Sequence, residues 1–209
     1  MTFSSREEGG RELGRRLLER GIKPDIVLGL PRGGVVVAAE VAKMLQCPLD
    51  VLAVRKIGHP RQREFAVGAL AEPDIVLLDV AVTGKAQISC KDLQEIIAEE
   101  TARLRDYQAK FHQGGAVTLE GRTVLVVDDG LATGATAEAA VVSAGKQKAA
   151  RIIVATPVSS PDAVARLSPV ADELIAVVVD PDFAAVGQHY AVFPQATNEE
   201  VLALLNHHA

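Results

Sequence analysis

The chain of 209 residues has little of what builds disulfide-rich or membrane-spanning proteins. It has no tryptophan, 3% aromatic residues and two cysteines, Cys47 and Cys90, which form no CxxC motif. Two isolated cysteines argue against a disulfide framework or a zinc knuckle and favour a reducing compartment. No apolar run approaches the roughly 20 residues that span a bilayer, and no apolar leader begins the chain. These absences predict a soluble, cytoplasmic protein.

Positive charge is also scarce. The chain has 22 Lys and Arg residues against 27 Asp and Glu residues, a formal net charge of −5. Nucleic acids and anionic membranes attract proteins with a net or strongly clustered positive field. The charge balance therefore argues against both as general partners, while local basic patches and a homo-oligomer stay open.

Hydrophobic residues make up 48% of the chain. They form short β-branched runs that alternate with amphipathic stretches, which is typical of a parallel sheet joined by helices. The predicted strands are 25–30, 49–55, 75–79, 123–128, 151–156 and 173–179, with a weaker strand, 65–70, expected to form an antiparallel hairpin with the second. The predicted helices are 5–20, 34–46, 89–112, 134–148, 161–167 and 198–206. The length fits a single α/β domain, with a small cap at most.

The fourth of these main strands ends in two carboxylates, Asp128 and Asp129, followed by a glycine-rich loop, 130–136, that enters a helix. A helix N-terminus offers unpaired N–H donors to a phosphate, and Thr133 and Thr136 add hydroxyl donors. The two carboxylates can accept hydrogen bonds from a diol beside that phosphate. A phosphate next to a diol describes ribose 5-phosphate, whereas an ordinary βα turn with N-caps is the alternative for a motif this short.

Two further segments have the character of anion sites. The loop 29–34, Gly-Leu-Pro-Arg-Gly-Gly, follows the first strand and opens a helix, although a tight turn would have the same composition. The segment 55–64 carries four permanent cations and His59, which charges only at lower pH. Such a loop is commonly a solvated turn. Beside two anion sites, it instead suggests cations for a pyrophosphate leaving group.

These motifs together resemble those of type I phosphoribosyltransferases. The similarity extends over nearly the whole chain to a prokaryotic group with a Pro-Arg-Gly-Gly loop, a Val-Arg-Lys-x-Gly hairpin and an Asp-Asp-Gly-x-Ala-Thr-Gly-x-Thr loop. The resemblance implies the type I phosphoribosyltransferase fold, an α/β domain over 1–209 with a central, mainly parallel sheet flanked by helices. A small hood would come largely from 179–209.

The resemblance also implies an activity, the Mg²⁺-dependent transfer of ribose 5-phosphate from phosphoribosyl pyrophosphate to a nitrogenous base in nucleotide salvage. The implied catalytic residues are Asp128 and Asp129, which hold the ribose hydroxyls, and Lys56, which faces the pyrophosphate from a mobile loop, 56–64. No metal ligand is directly assigned: Mg²⁺ would be held mainly by the substrate, with Asp128 or Asp129 as the candidate protein ligands. The other implied substrate-binding residues are Arg32, Gly33, Arg55, Gly130, Leu131, Ala132, Thr133, Gly134, Ala135, Thr136 and Tyr190.

The acceptor base is not determined by the sequence. Aromatic residues cluster between 179 and 193, where Phe183 and Tyr190 would supply a stacking surface, with core or hood packing as the alternative. Aromatic residues of relatives are replaced here by Ala184 and His189. Hypoxanthine-type relatives have an aspartate at the position of Ala132, so an oxopurine acceptor is weakened but not excluded.

Two other functions remain open at this point. A regulator of the same fold would sense phosphoribosyl pyrophosphate without catalysis and would need a basic patch outside the three loops to bind nucleic acid. A sugar-phosphate hydrolase would need an unshared carboxylate or histidine at a strand end. Asp79 lies at such an end, although a structural role is the simpler interpretation.

Overall fold

The secondary structure follows the alternation of buried runs and amphipathic stretches. The computed structural model describes residues 2–85, 88–112, 115 and 117–207. The helices are α1 Arg6–Glu19, α2 Gly33–Leu45, α3 Val80–Lys85, α4 Cys90–Phe111, α5 Ala135–Lys146, α6 Pro161–Leu167 and α7 Asn198–His207, with a 3-10 turn at Val186–His189. The strands are β1 Ile26–Gly29, β2 Leu49–Val51, β3 Val54–His59, β4 Gln62–Ala71, β5 Ile75–Leu78, β6 Thr123–Val127, β7 Arg151–Ser159 and β8 Glu173–Val179. Over the described ranges, no helix is both long and apolar enough to cross a membrane.

The central sheet is parallel, in the order β2-β1-β6-β7-β8. Its successive residues face opposite layers: Ile26 and Leu28 pack with α5, whereas Val27 packs with α1 and α2. A sheet covered on both faces needs continuously apolar strands, which explains why these runs lack polar alternation. The predicted mainly parallel sheet flanked by helices is confirmed.

The chain reverses its direction of travel across the sheet between β1 and β6. From β1 it crosses to β2 at one edge, and from β6 it proceeds through β7 to β8 at the other. Because β1 and β6 are paired neighbours, the loops that follow them begin side by side, and the Leu30 amide donates to the Val127 carbonyl at 2.9 Å. Such a switch point is where open α/β sheets bind ligands.

A second sheet, antiparallel in the order β3-β4-β5, corrects three of our expectations. The strand predicted at 49–55 is two strands, because the chain leaves the parallel sheet after Val51 and enters the second sheet at Val54. The strand predicted at 75–79 belongs to this sheet and pairs with β4. The loop predicted at 56–64 is a β-hairpin with a turn at 60–61, since β3 and β4 pair along their length.

The hairpin predicted between the second strand and 65–70 is confirmed, and helix α4 packs against it. Its N-cap forms as the sequence indicates, with the Ser89 hydroxyl accepting from the Asp92 amide at 3.1 Å. Ile96 and Leu104 pack on the hairpin residues Ile57 and Val67. Helix α3, which precedes α4, was not predicted.

At its C-terminal end α4 is tied to both sheets by His112. Its Nε2 lies 2.9 Å from Glu72 Oε2, just before β5, and its Nδ1 lies 3.8 Å from Asp50 Oδ1 on β2. The hydrogen bond with Glu72 raises the pKa of His112 against the opposing effect of burial, and burial raises the pKa of Asp50. The contacts of His112 with Glu72 and Asp50 thus join the end of α4 to the rest of the protein.

We predict that His112→Gln destabilises the protein in a pH-dependent way. Because folding raises the pKa of His112, its contribution is complete below the ordinary value of 6.5 and is lost as pH rises through the folded-state pKa. Below pH 6.5, the unfolding free energy of the wild type should exceed that of the variant by roughly 1–3 kcal/mol. The difference should be smaller at alkaline pH. Urea denaturation across pH measures this. His207→Gln is the control, because His207 is exposed. A difference in unfolding free energy between wild type and His112→Gln that does not change with pH would contradict the prediction.

Candidate active site

Two cavities open at the switch point and share Lys56, Asp128 and Thr136. The larger, about 700 Å³, lies between the loop after β1, the β3–β4 hairpin and α4. The smaller, about 280 Å³, follows residues 130–137 and is lined on the hairpin side by Phe65. The structure therefore brings the predicted acidic strand end, glycine-rich loop and basic hairpin to one place.

The loop after β6 presents its backbone to the smaller cavity. Gly134 adopts a φ of 72°, a left-handed conformation that glycine enters without steric cost, and it serves as the N-cap residue of α5. Leu131 is buried, its amide donating to Val158 at 2.9 Å, so its side chain belongs to the core. All the residues predicted from Gly130 to Thr136 line this cavity.

The loop after β1 approaches the acidic pair so closely that only glycine fits at position 33. A Cβ on Gly33 would lie 2.0 Å from Asp129 Oδ2. Leu30 and Pro31 line the larger cavity, and the peptide between Pro31 and Arg32 is cis. Among the described residues that line the two cavities, the predicted Arg32 and Gly33 do not occur.

The two aspartates occupy different environments. Asp128 lines both cavities, and burial raises the pKa of its carboxyl, with a smaller contribution from the neighbouring Asp129. A cation or a hydrogen-bond donor entering the cavity would offset that penalty. Asp129 instead makes an ion pair with Arg6, whose Nε lies 2.7 Å from Oδ2, with 10% of the arginine side chain and 15% of the aspartate side chain exposed.

Arg6 is a site residue that sequence reasoning missed. It starts α1, where Ser5 caps the helix, and it is separated from Asp129 by 123 positions. Losing one member of a buried pair costs about 3–5 kcal/mol, whereas exposed pairs contribute about 0–1 kcal/mol. The Arg6–Asp129 pair is mostly buried and is therefore closer to the buried case. No local pattern in the sequence indicates this contact, because only the fold brings the N-terminus to the acidic pair.

Helix α4 supplies charged residues that were also missed. The Arg55 guanidinium lies 2.8 Å from Glu100, and Arg63 lies 2.9 Å from Glu99. Arg103 contacts both glutamates from the next turn of the helix. All five residues line the larger cavity, so cations predicted for an anionic ligand have carboxylate partners in this structure. The spacing of Glu99, Glu100 and Arg103 was the available signal, but it is equally typical of a solvated helix face.

The aromatic residues near the C-terminus pack together and against the N-terminus. Tyr190 is 5% exposed, stacks on Phe193 with centroids 5.0 Å apart and contacts Phe3 at 5.6 Å. Its hydroxyl donates to the main-chain oxygen of Asp129 at 2.6 Å, and burial raises its pKa, which keeps that proton in place. Phe183 stacks on His189. Tyr190 is not among the described residues lining the two cavities, and its contact with a substrate stays a prediction.

The remainder of the predicted hood lies beside α2. Val201 of α7 packs with Val35 of α2 and Phe111 of α4. Positions 208 and 209 fall outside the described residues. The extent of a hood over the site stays a prediction.

A family model described as a phosphoribosyl transferase domain matches residues 5–190. That span includes Arg6, both anion loops, the hairpin and Tyr190. The chain belongs to the phosphoribosyltransferase family. The predicted family is confirmed.

The chain is also similar to several individual proteins. Curated phosphoribosyl transferases of two Mycobacterium tuberculosis strains, whose names leave the activity unproven, are 41% identical over 205 residues, covering 98% of this chain and 46% of theirs. The chain thus spans about half the length of these relatives. The crystal structure of TT1426 from Thermus thermophilus is 40% identical, with full coverage of both chains and a TM-score of 0.80. The AQ2163 protein of Aquifex aeolicus, 14% identical over 84% of this chain and 74% of its own, shares the fold at a TM-score of 0.52.

We predict that Tyr190→Phe destabilises the protein while preserving its ring packing. The substitution removes the donor to the Asp129 carbonyl, so the free energy of unfolding should fall by about 1–2 kcal/mol in a denaturant titration. Tyr107→Phe is the matched control, because that hydroxyl accepts only a longer contact, 3.4 Å, from Arg55. An equal decrease in the free energy of unfolding of the two variants would show that the hydrogen bond from Tyr190 to the Asp129 carbonyl adds no stability of its own.

Proposed function

We propose that this chain transfers ribose 5-phosphate from phosphoribosyl pyrophosphate to a nitrogenous base, releasing pyrophosphate in a Mg²⁺-dependent reaction. The observation that carries the proposal is the meeting of the two cavities at Asp128, Lys56 and Thr136. One cavity is bordered by a helix N-terminus and the other by cations. A substrate with a phosphate at one end and a pyrophosphate at the other matches this arrangement.

The smaller cavity is suited to the 5-phosphate. Helix α5 begins at Ala135, and Thr133, Ala135 and Thr136 line this cavity. The N-terminus of a helix offers amide donors and the positive end of the helix dipole to an anion, and the two threonines carry hydroxyls. The phosphate therefore needs no basic side chain from this loop.

The larger cavity is suited to the pyrophosphate. Lys56, Arg55, Arg63 and Arg103 line it, together with Leu30 and Pro31 of the loop after β1. Pyrophosphate would compete with Glu99 and Glu100 for the three arginines, and the exposed Arg63–Glu99 pair would yield at little cost because it is screened by water. Charge that develops on the leaving group would be stabilised by these cations.

Between the two anion sites the sugar would lie against Asp128. Its carboxylate would accept hydrogen bonds from the ribose hydroxyls and offset positive charge developing at C1 in an oxocarbenium-like transition state. Asp128 also fits Mg²⁺, an ion usually held by one or two carboxylates together with substrate phosphates. When bound, Mg²⁺ would neutralise charge on the departing pyrophosphate.

The acceptor remains the open part of the proposal. We keep the segment 179–193 as the candidate source of acceptor discrimination, since the phosphate and pyrophosphate sites serve a substrate common to the family. Nucleotide salvage and a cytoplasmic location are proposed with it, on the family's chemistry and the sparse cysteines. A hydrolase centred on Asp79 is less well supported, because that carboxylate caps α3 through the Val82 amide at 3.0 Å and pairs with Arg166 at 2.5 Å.

We predict that the protein binds phosphoribosyl pyrophosphate with Mg²⁺, and that Lys56→Met weakens the binding and lowers turnover by about 10²–10³-fold. Calorimetry measures the first, and pyrophosphate release with purine, pyrimidine and orotate acceptors measures the second. Lys91→Met is the control, because Lys91 is 84% exposed and pairs only weakly, at 3.9 Å, with Glu95.

The outcomes separate the candidate functions. Binding without turnover on any acceptor would favour the non-catalytic regulator of the same fold. No binding of phosphoribosyl pyrophosphate by the wild type would overturn the proposed function. Equal effects of Lys56→Met and Lys91→Met would remove Lys56 from the site.

A further inference from the structure

Helix α4 carries a carboxylate in the middle of its apolar face. Ile96, Glu100 and Leu104 follow one another at intervals of four residues, and all three are buried, with 5% of Glu100 exposed. Residues four apart lie on the same face of a helix, and this face packs on the β3–β4 hairpin. A buried glutamate costs free energy unless a partner satisfies its charge. Packing alone therefore does not explain a glutamate at this position.

The main partner of Glu100 is Arg55 of the hairpin. Nε and Nη2 of Arg55 lie 2.9 and 2.8 Å from Glu100 Oε2. The guanidinium carbon of Arg55 lies 5.3 Å from the centroid of the Tyr107 ring, and Nη1 donates to the Tyr107 hydroxyl at 3.4 Å. These contacts hold the guanidinium in one orientation at the wall of the larger cavity. Because a guanidinium has five N–H donors, some of them remain for a ligand.

Glu99, the neighbouring residue, is paired at the surface. Its side chain is 38% exposed, and it accepts from Arg63 Nη2 at 2.9 Å and from Arg103 Nη2 at 2.6 Å. About half of each arginine side chain is exposed, 52% and 51%. Since water screens exposed pairs of this kind, an anion can replace Glu99 at little cost. Replacing Glu100 would instead leave a buried carboxylate without its partner, which is strongly unfavourable.

We propose that these adjacent glutamates have opposite roles at the pyrophosphate site. Glu100 is a positioning residue, which holds Arg55 in place for the ligand. Glu99 is a displaceable counterion, which occupies Arg63 and Arg103 until pyrophosphate takes its place. Phosphate oxygens accept from guanidinium groups in the same way as carboxylate oxygens, so this exchange needs no new kind of contact. The inference rests on the proposed function for its ligand, and it divides the arginines of that site into one that is fixed and two that are released.

Replacing each glutamate with glutamine in the full chain tests the proposal, with inorganic pyrophosphate and Mg²⁺ as the probe in calorimetry. Both substitutions remove one negative charge near the anion site, so charge alone would tighten binding in both variants. We expect Glu99→Gln to lower the dissociation constant about 3- to 5-fold. Glu100→Gln should raise it about 10-fold, because Arg55 loses its fixed orientation. Glu95→Gln is the matched control and should change little, since Glu95 lies on the same helix, is 65% exposed and contacts Lys91 only at 3.9 Å.

Tighter binding by Glu100→Gln would show that both glutamates merely add negative charge, and it would overturn the proposal. An unchanged dissociation constant in either variant would do the same, and it is the expected result if α4 only stabilises the hairpin and the substitution lowers only the melting temperature. If Glu100→Gln does not fold, Glu100→Asp takes its place. It keeps the charge on a shorter side chain and should also raise the constant.

The same experiment separates this inference from the proposed function. Opposite effects of the two variants, in a protein that binds pyrophosphate but turns over no acceptor base, would support the inference and count against the transferase activity alone. Turnover of an acceptor with equal effects of the two variants on pyrophosphate binding would overturn the inference alone. A wild type that does not bind pyrophosphate would overturn both.

Discussion

The pairing of β1 with β6 is the constraint on which the site depends. It forms the switch point of the sheet, so the loops after these strands start next to each other. The contact of Gly33 with the Asp129 carboxylate and the entry of α5 at Gly134 both follow from it. An anion site built from backbone amides needs such rigid strands beneath it, because amides are useful only when the loop is held in position.

Charged residues of both signs surround the two cavities. The chain is acidic overall, yet four cations, Arg55, Lys56 and Arg63 of the hairpin and Arg103 of α4, line the larger cavity. Helix α4 provides Glu99 and Glu100 as partners for the arginines among these cations, while Arg6 pairs with Asp129. These ion pairs reduce the repulsion between like charges around Asp128.

Sequence patterns performed well where structure is local and poorly where it is not. The strand 173–179 and the helix 161–167 were predicted to the residue, since capping and apolar periodicity decide such elements. The segment 49–64 was misjudged, because leaving one sheet for another between Val51 and Val54 depends on which partner strands are available. The charge and glycine content of segment 56–64 are typical of a loop. Cross-strand pairing between β3 and β4 and packing against α4 make the segment a hairpin instead.

The family, the parallel α/β architecture and the motifs 29–34 and 128–136 could all be inferred from contiguous patterns in the sequence, because each pattern has a local physical cause. The contacts that complete those motifs depend on tertiary packing. It placed Arg6 against Asp129, turned Tyr190 into the core beneath the acidic pair and brought Glu99, Glu100 and Arg103 to the cavity wall. These contacts join positions far apart in the chain, and their energies come from burial and charge pairing that exist only once the sheets and helices have packed.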